Sequence, residues 1–132
     1  MTDYFNPTIQ QWNTFVRQHP RAHVLQLAGW GELKRAFGWE VLRIALPDGS
    51  GDVIAGAQIL FRPLPLKLGK IAYISMGPLL TDEPTQQTRL WNVVEQQARK
   101  HGARFIKWEP GIYLESERTP DFATLGFVQS PQ

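Results

Sequence analysis

Val53-Ile-Ala-Gly-Ala-Gln-Ile-Leu-Phe-Arg62 and Ile71-Ala-Tyr-Ile-Ser-Met76 are two apolar runs joined by a loop holding Pro63, Pro65, Lys67, Gly69 and Lys70. β-Branched and aromatic residues dominate both, and turn formers bound them, so both read as strands. In the first run Val53, Ala55, Ala57, Ile59 and Phe61 share one face, while Ile54, Gly56, Gln58, Leu60 and Arg62 share the other. Neither face is plainly polar, which predicts a pair covered on both sides. The second run stops at Met76-Gly77-Pro78. A glycine there lets backbone approach a ligand closely, so the floor of any cleft is expected at that turn.

Outward from this pair, Trp39 to Leu46 reads as a further strand. It is joined to Val53 by Pro47-Asp-Gly-Ser-Gly-Asp52, a turn rich in residues that tolerate positive φ. Three consecutive antiparallel strands are expected over 39–46, 53–62 and 70–76. Before them the pattern predicts two helices. Asn6 as N-cap and Pro7 at the first position open one, with Ile9, Trp12, Phe15 and Val16 on one face and His19-Pro20 at its end. The second spans about Ala28 to Phe37 and stops at Gly38, with Leu27, Trp30, Leu33 and Phe37 as its buried stripe. After the strands, a helix to about Lys100 buries Leu90, Trp91, Val94 and Ala98. Arg104 to Glu109 reads as a strand that returns beside the others, parallel to its neighbour. A helical turn from Thr119 and a last strand at Gly126-Phe-Val128 close the order.

The chain has 132 residues, 42% of them apolar and 20% charged, which suits one folded domain. Cysteine is absent, which excludes disulfides, thiolate catalysis and Cys-based zinc sites. A net charge of +2 permits an anionic ligand without announcing a nucleic-acid binder. No stretch approaches the roughly 18 apolar residues of a membrane helix, and Met1 to Asn6 has no signal-peptide pattern, so a cytoplasmic domain is expected. His19 and His23 are four apart, but Pro20 between them breaks the helix that would make them a metal pair. His101, with Arg99 and Lys100, suits the last turn of a helix better than the role of catalytic base.

The element order is that of the GNAT-type acyltransferases, a mixed α/β fold with a mainly antiparallel central sheet flanked by helices. A CoA-dependent member needs a glycine-rich loop whose N–H groups meet the pyrophosphate at a helix N-terminus. Met76-Gly-Pro-Leu-Leu-Thr-Asp-Glu-Pro84 has one glycine, two prolines and two acids, which suits a diphosphate badly. Trp30-Gly-Glu-Leu-Lys34, Phe37-Gly-Trp39, Leu64-Pro65-Leu66, Ala72-Tyr-Ile-Ser-Met-Gly-Pro78 and Phe105-Ile-Lys-Trp-Glu-Pro110 occur in an order and spacing that resemble the N-terminal half of the FemABX aminoacyltransferases, which build peptidoglycan interpeptide bridges.

That resemblance implies two GNAT-like subdomains in tandem, of which residues 1–132 are the first. It implies an aminoacyl-tRNA donor and, as acceptor, the stem peptide of a peptidoglycan precursor, either lipid II or UDP-MurNAc-pentapeptide. The reaction is aminolysis of an ester and needs no metal or cofactor. Lys34 matches a family lysine on the precursor diphosphate. Glu109 matches a carboxylate near the reacting amine, where it could hold the ammonium or accept its proton. From the residues alone, Lys34 reads rather as a surface lysine with a packed stem, and Glu109 could equally be a cap on the turn at Pro110-Gly111. Some members carry tyrosine at Phe105. The candidate site is thus Glu109 as catalytic residue and Lys34, Trp30, Tyr73 and Gly77 as substrate-binding residues. Half a family chain would fold without catalysing transfer, and its exposed sheet edge permits a homodimer. The competing readings are a CoA-dependent N-acetyltransferase and a non-catalytic GNAT-like binding module.

Overall fold

The computed structural model describes residues 4–20 and 22–109. The helical turn expected from Thr119, the strand at Gly126–Val128 and the turn at Pro110-Gly111 lie outside the described residues. Helix α1 spans Ile9–Gln18 and α2 spans Ala28–Ala36. Strands β1 (Glu40–Pro47), β2 (Val53–Pro63) and β3 (Lys70–Ile74) follow, then α3 (Pro84–Lys100) and β4 (Ala103–Trp108). The sheet order is β1-β2-β3-β4. β1 to β3 run antiparallel, and β4 is parallel to β3, as α3 is long enough to cross between them.

The two faces of β2 divide the core. Ala55, Ala57, Ile59 and Phe61 join Ile44 and Leu46 of β1 and Ala72 and Ile74 of β3 in a cluster closed by Leu90, Trp91, Val94 and Ala98 of α3. On the other face Trp12, Phe15, Val16, Ala28 and Leu79 form a second cluster under α1. β2 is therefore covered on both sides as expected. Among the described residues, no helix covers the β3–β4 part of the second face. Register places Arg62 beside Ile71 and Leu60 beside Tyr73, then Ile71 beside Phe105 and Tyr73 beside Lys107. Cα partners point to the same side of a sheet. Arg62, Ile71, Tyr73, Phe105 and Lys107 therefore share one face, and α2 covers only the β1–β2 side of it.

Two expected details are corrected. The cap of α1 is Thr8, whose hydroxyl accepts from the Gln11 N–H while the Gln11 side chain takes the Thr8 N–H. Asn6 instead donates to the Arg43 carbonyl, 2.9 Å away. The second correction concerns α2, which buries Ala28 and Gly31, while Leu33 and Phe37 are exposed. The helix lies so close to the sheet that a Cβ at position 31 would sit 2.5 Å from Gln58 Oε1. A helix held that near meets the sheet through its small residues, and its large ones are pushed to the rim.

At the start of β1, Glu40 ties three elements together. Its carboxylate meets Lys70 Nζ at 3.0 Å and His101 Nδ1 at 2.8 Å. His101 caps α3, as its position implied, and stacks on Phe61 with ring centroids 5.2 Å apart. Partial burial pulls the Glu40 carboxyl upward, but the hydrogen bonds and charges of Lys70 and His101 outweigh it and hold it below its ordinary 4.5. A carboxylate with a depressed folded pKa adds stability that is complete above its unfolded value and is lost as pH falls through the folded one. Glu40→Gln should therefore lower Tm at about pH 7, and the gap to the parent should narrow as pH falls below 4.5 and close once the pH has passed through the lowered folded value. Thermal melts across that range check it; a gap constant with pH would mean that the ion pairs contribute nothing.

Candidate functional site

The open face is bordered by α2, and buried amides hold α2 in register with the sheet. Leu27 offers no side-chain cap, so Asn13 of α1 takes the Ala28 N–H at 2.8 Å. Arg43 donates to Gln58 Oε1 at 2.8 Å, to the Ala28 carbonyl at 3.1 Å and to Glu32 at 3.2 Å. The Glu32 carboxyl is held below its usual range by its hydrogen bond to Arg35, helped by Arg43, against the opposing pull of burial. Gln58 donates in turn to the Leu27 carbonyl at 3.0 Å. Gln26 is fully buried, donates to the Ser75 carbonyl and accepts from the Gln58 N–H. Its own carbonyl receives the Trp12 indole N–H at 2.6 Å.

Along α2, Lys34 follows Trp30 by one turn, and its ammonium lies 4.8 Å from the Trp30 ring and 5.3 Å from the Trp39 ring. The chain reverses at Gly38, whose φ of 94° is open to glycine, and the Trp39 N–H returns to the Lys34 carbonyl at 3.1 Å. Arg62 stands over the same Trp39 ring at 5.8 Å. Lys34 is thus a half-buried cation on an aromatic seat beside a second cation, not a freely waving surface lysine. The Trp30 indole N–H is buried with no acceptor among the described residues. An unmet donor of that kind is a cost the fold tolerates at this spot.

Tyr73 and Glu109 meet at the far ends of β3 and β4. The Tyr73 hydroxyl donates to Glu109 Oε1. The Glu109 backbone is pinned on both sides, donating to the Ile74 carbonyl at 3.0 Å and accepting from the Gly77 N–H at 2.9 Å. Burial and then the neighbouring carboxylate push the Tyr73 phenol up to about 12, so it remains a proton donor at any physiological pH. Gly77 lies against the Gln26 amide; a Cβ there would come within 2.9 Å of it.

The expected site residues therefore form two groups rather than one cleft floor. Tyr73, Gly77 and Glu109 are together. Lys34 and Trp30 sit toward the opposite end of the sheet with Trp39 and Arg62, neither of which is among the candidate site residues. Three residues of strand separate Ile71, opposite Arg62, from Ile74, which Glu109 bonds, or about 10 Å along the sheet. The sequence signals for Trp39 were its place just past the Gly38 reversal and its part in the Phe37-Gly-Trp39 motif. His19 Nε2 lies 2.9 Å from the Leu80 carbonyl and His23 caps a short turn, so the two histidines serve separate local structures. Among the described residues there is no group of three or more metal-ligating side chains.

The segment that carries pyrophosphate in a CoA enzyme is otherwise engaged here. The Gly77 N–H goes to Glu109, the Leu79 N–H to Gly56 and the Glu83 N–H to Thr81 Oγ1. Glu83 caps α3 and takes the Thr85 N–H with its own carboxylate. Pro78 and Pro84 have no N–H to offer. An anionic ligand would find this helix N-terminus already occupied by an acid.

The family model described as "FemAB family" matches residues 8–125. The lipid II:glycine glycyltransferase of Staphylococcus saprophyticus is 34% identical over 127 residues, covering 92% of this chain and 30% of that protein. The chain thus spans under a third of the length of such relatives. A crystal structure of FemX aligns with a TM-score of 0.78 at 30% identity, over 85% of this chain and 28% of that one. The glucosamine-6-phosphate N-acetyltransferase of Arabidopsis thaliana aligns with a TM-score of 0.64 over 98% of this chain and 92% of that one. At 10% identity that likeness speaks for the acetyltransferase-type fold alone.

Proposed function

The chain belongs to the FemAB family, and on that premise we propose that it is the N-terminal part of an aminoacyltransferase that moves an amino acid from aminoacyl-tRNA to the stem-peptide amine of a peptidoglycan precursor. The observation that carries this reading is the likeness to a lipid II:glycine glycyltransferase over 92% of the chain. The open face adds geometry to it. A cation pair at one end suits a diphosphate, and a carboxylate about 10 Å along suits the amine of a peptide carried by the same molecule.

In this scheme Glu109 accepts a proton from the acceptor ammonium and frees its lone pair. The amine attacks the ester carbonyl carbon; the tetrahedral centre then breaks its C–O bond, and the proton shed by the attacking nitrogen passes to the departing tRNA oxygen. Tyr73, a permanent donor, keeps the Glu109 carboxylate aimed along the strand ends. Lys34 holds the diphosphate as a compact charge, with Trp30 and Trp39 fixing its direction. Gly77 keeps the backbone beside Glu109 free of a side chain. The acceptor is held by fixed groups, so much of the acceleration comes from orientation.

Binding separates this reading from a CoA-dependent one. UDP-MurNAc-pentapeptide should bind, with Lys34→Ala weakening it about tenfold, the loss of one charged contact to phosphate. Added salt should weaken the parent more than the variant. Acetyl-CoA should not bind tightly, since α3 opens on Glu83 and Pro84. Tight acetyl-CoA binding in an isothermal titration, or precursor binding indifferent to Lys34→Ala, would remove the reading's physical basis.

A further inference from the structure

We propose that the end of the sheet formed by the β2–β3 loop and the turn after α2 docks on an anionic lipid bilayer surface. Leu66 is 89% exposed and Leu68 is 51% exposed, both in the loop between Pro63 and Lys70. Leu66 and Lys67 both take positive φ, 60° and 58°, a conformation that non-glycine residues rarely hold. Phe37, 76% exposed, lies at the same end, because β1 begins at Glu40 opposite Phe61, two residues before β2 ends. Of the exposed large apolar side chains among the described residues, Phe37, Leu66 and Leu68 lie at this end, Phe105 stands near it beside Ile71, and Leu33 is on α2 one turn before Phe37.

Charge points to what covers them. Arg62, Lys67, Lys100 and Arg104 are exposed at this end, none with a carboxylate partner among the ion pairs of the described residues. Arg104 packs along the loop, its Cγ 3.1 Å from where a Gly69 Cβ would be. At the opposite end stand Asp48, Asp52, Asp82, Glu83 and Glu109, on the β1–β2 turn, the approach to α3 and the end of β4. The domain is thus a dipole along its strands, apolar and basic at one pole and acidic at the other. A protein partner could match the leucines or the cations. An anionic bilayer matches both at once, with headgroups for the cations and the acyl boundary for the leucines. The dipole would orient the domain as it approaches.

This inference stands on exposure and charge alone, independently of the transferase reading. If both hold, Lys34 faces the headgroup layer, where the diphosphate of a lipid-linked acceptor lies, and Glu109 faces away from it.

Sedimentation of the purified protein with vesicles tests it. The protein should pellet with vesicles of phosphatidylglycerol mixed with phosphatidylcholine and not with phosphatidylcholine alone, and salt should weaken the binding. Leu66→Asn with Leu68→Ser should lower the partition coefficient at least about tenfold, from lost apolar burial. Both side chains are exposed, so the melting temperature of this double variant should match the parent's. Lys67→Glu, which removes no apolar surface, should weaken binding to the anionic vesicles by roughly an order of magnitude through the charge reversal. Absence of pelleting with anionic vesicles would overturn the inference, as would binding unchanged in the double variant. So would a concentration-dependent dimer in sedimentation equilibrium that the double variant abolishes, because the patch would then be a contact between copies.

Discussion

Gly56→Ala should be the most destabilising single-methyl change in the described fold, at about 3 kcal/mol, with Tm falling by roughly 10 °C. Gly56 is a mid-strand residue without a turn's backbone demands, so the reason is space alone. A Cβ there would come within 2.6 Å of the Trp12 ring and 2.7 Å of the Ile44 carbonyl oxygen. Neither can move cheaply. Trp12 is fully buried and tied through its indole N–H to Gln26, and the Ile44 carbonyl belongs to the β1–β2 ladder. Gly56 is also bonded at its N–H and C=O to Leu79, at 3.0 and 2.8 Å, so β2 cannot shift sideways. Gly49→Ala is the control. A Cβ there meets nothing within 4 Å, and the change should cost less than about 0.5 kcal/mol. Trp12→Phe is destabilising by itself, since it discards the indole bond. Combined with Gly56→Ala, the two costs should sum to less than their parts, because the smaller ring vacates the clash. Strict additivity in denaturant melts would show that the strain lies against Ile44 instead.

The strand meander was legible because strand residues and turn residues alternate in the sequence at the lengths a hairpin needs. Ala55 to Arg62 divides by parity into the two faces that the structure uses, whereas Val53 packs with the Trp12 cluster and Ile54 with the other, because the register shifts between Leu46 and Pro47; Gly102 marks the end of α3 with φ of 87°. The cap of α1 was also written in the sequence as Thr8 and Gln11, three apart, but Asn6-Pro7 offered a competing pattern two residues earlier. α2 was misread for a different reason. Spacing cannot report how close a helix will sit, and with Gly31 against Gln58 the stripe of Trp30, Leu33 and Phe37 turns to the rim. Gln26 and Gln58 look like surface residues in composition. Their burial follows from amide groups that satisfy Ser75, Leu27 and each other across elements far apart in the chain. The separation of Lys34 from Glu109 had no local signal either. It depends on the pairing of Arg62 with Ile71 and of Glu109 with Ile74, and register exists only once the strands have met.

Glu109→Gln should lower the kcat of amino-acid transfer about 100-fold in the full-length protein, the usual scale for loss of a positioned general base. The acceptor KM should stay near the parent value, because the diphosphate grip at Lys34 lies toward the other end of the sheet and is untouched. The substitution preserves what the backbone does. The Glu109 N–H still bonds Ile74 and its carbonyl still receives Gly77, so stability should change by less than about 0.5 kcal/mol at this exposed position. Tyr73 supplies a readout that does not pass through activity. Its phenol is raised to about 12 first by burial and then by the Glu109 carboxylate. Removing that charge should bring it part of the way back toward 10.0, as measured by ultraviolet absorption of tyrosinate. A carboxylate that only caps the strand end would give the opposite pattern, with kcat within a few-fold of the parent and the loss appearing in Tm. A kcat drop accompanied by an unmoved Tyr73 titration would separate the two roles of Glu109. Proton transfer would stand, and the Tyr73 hydroxyl would no longer be what aims the carboxylate.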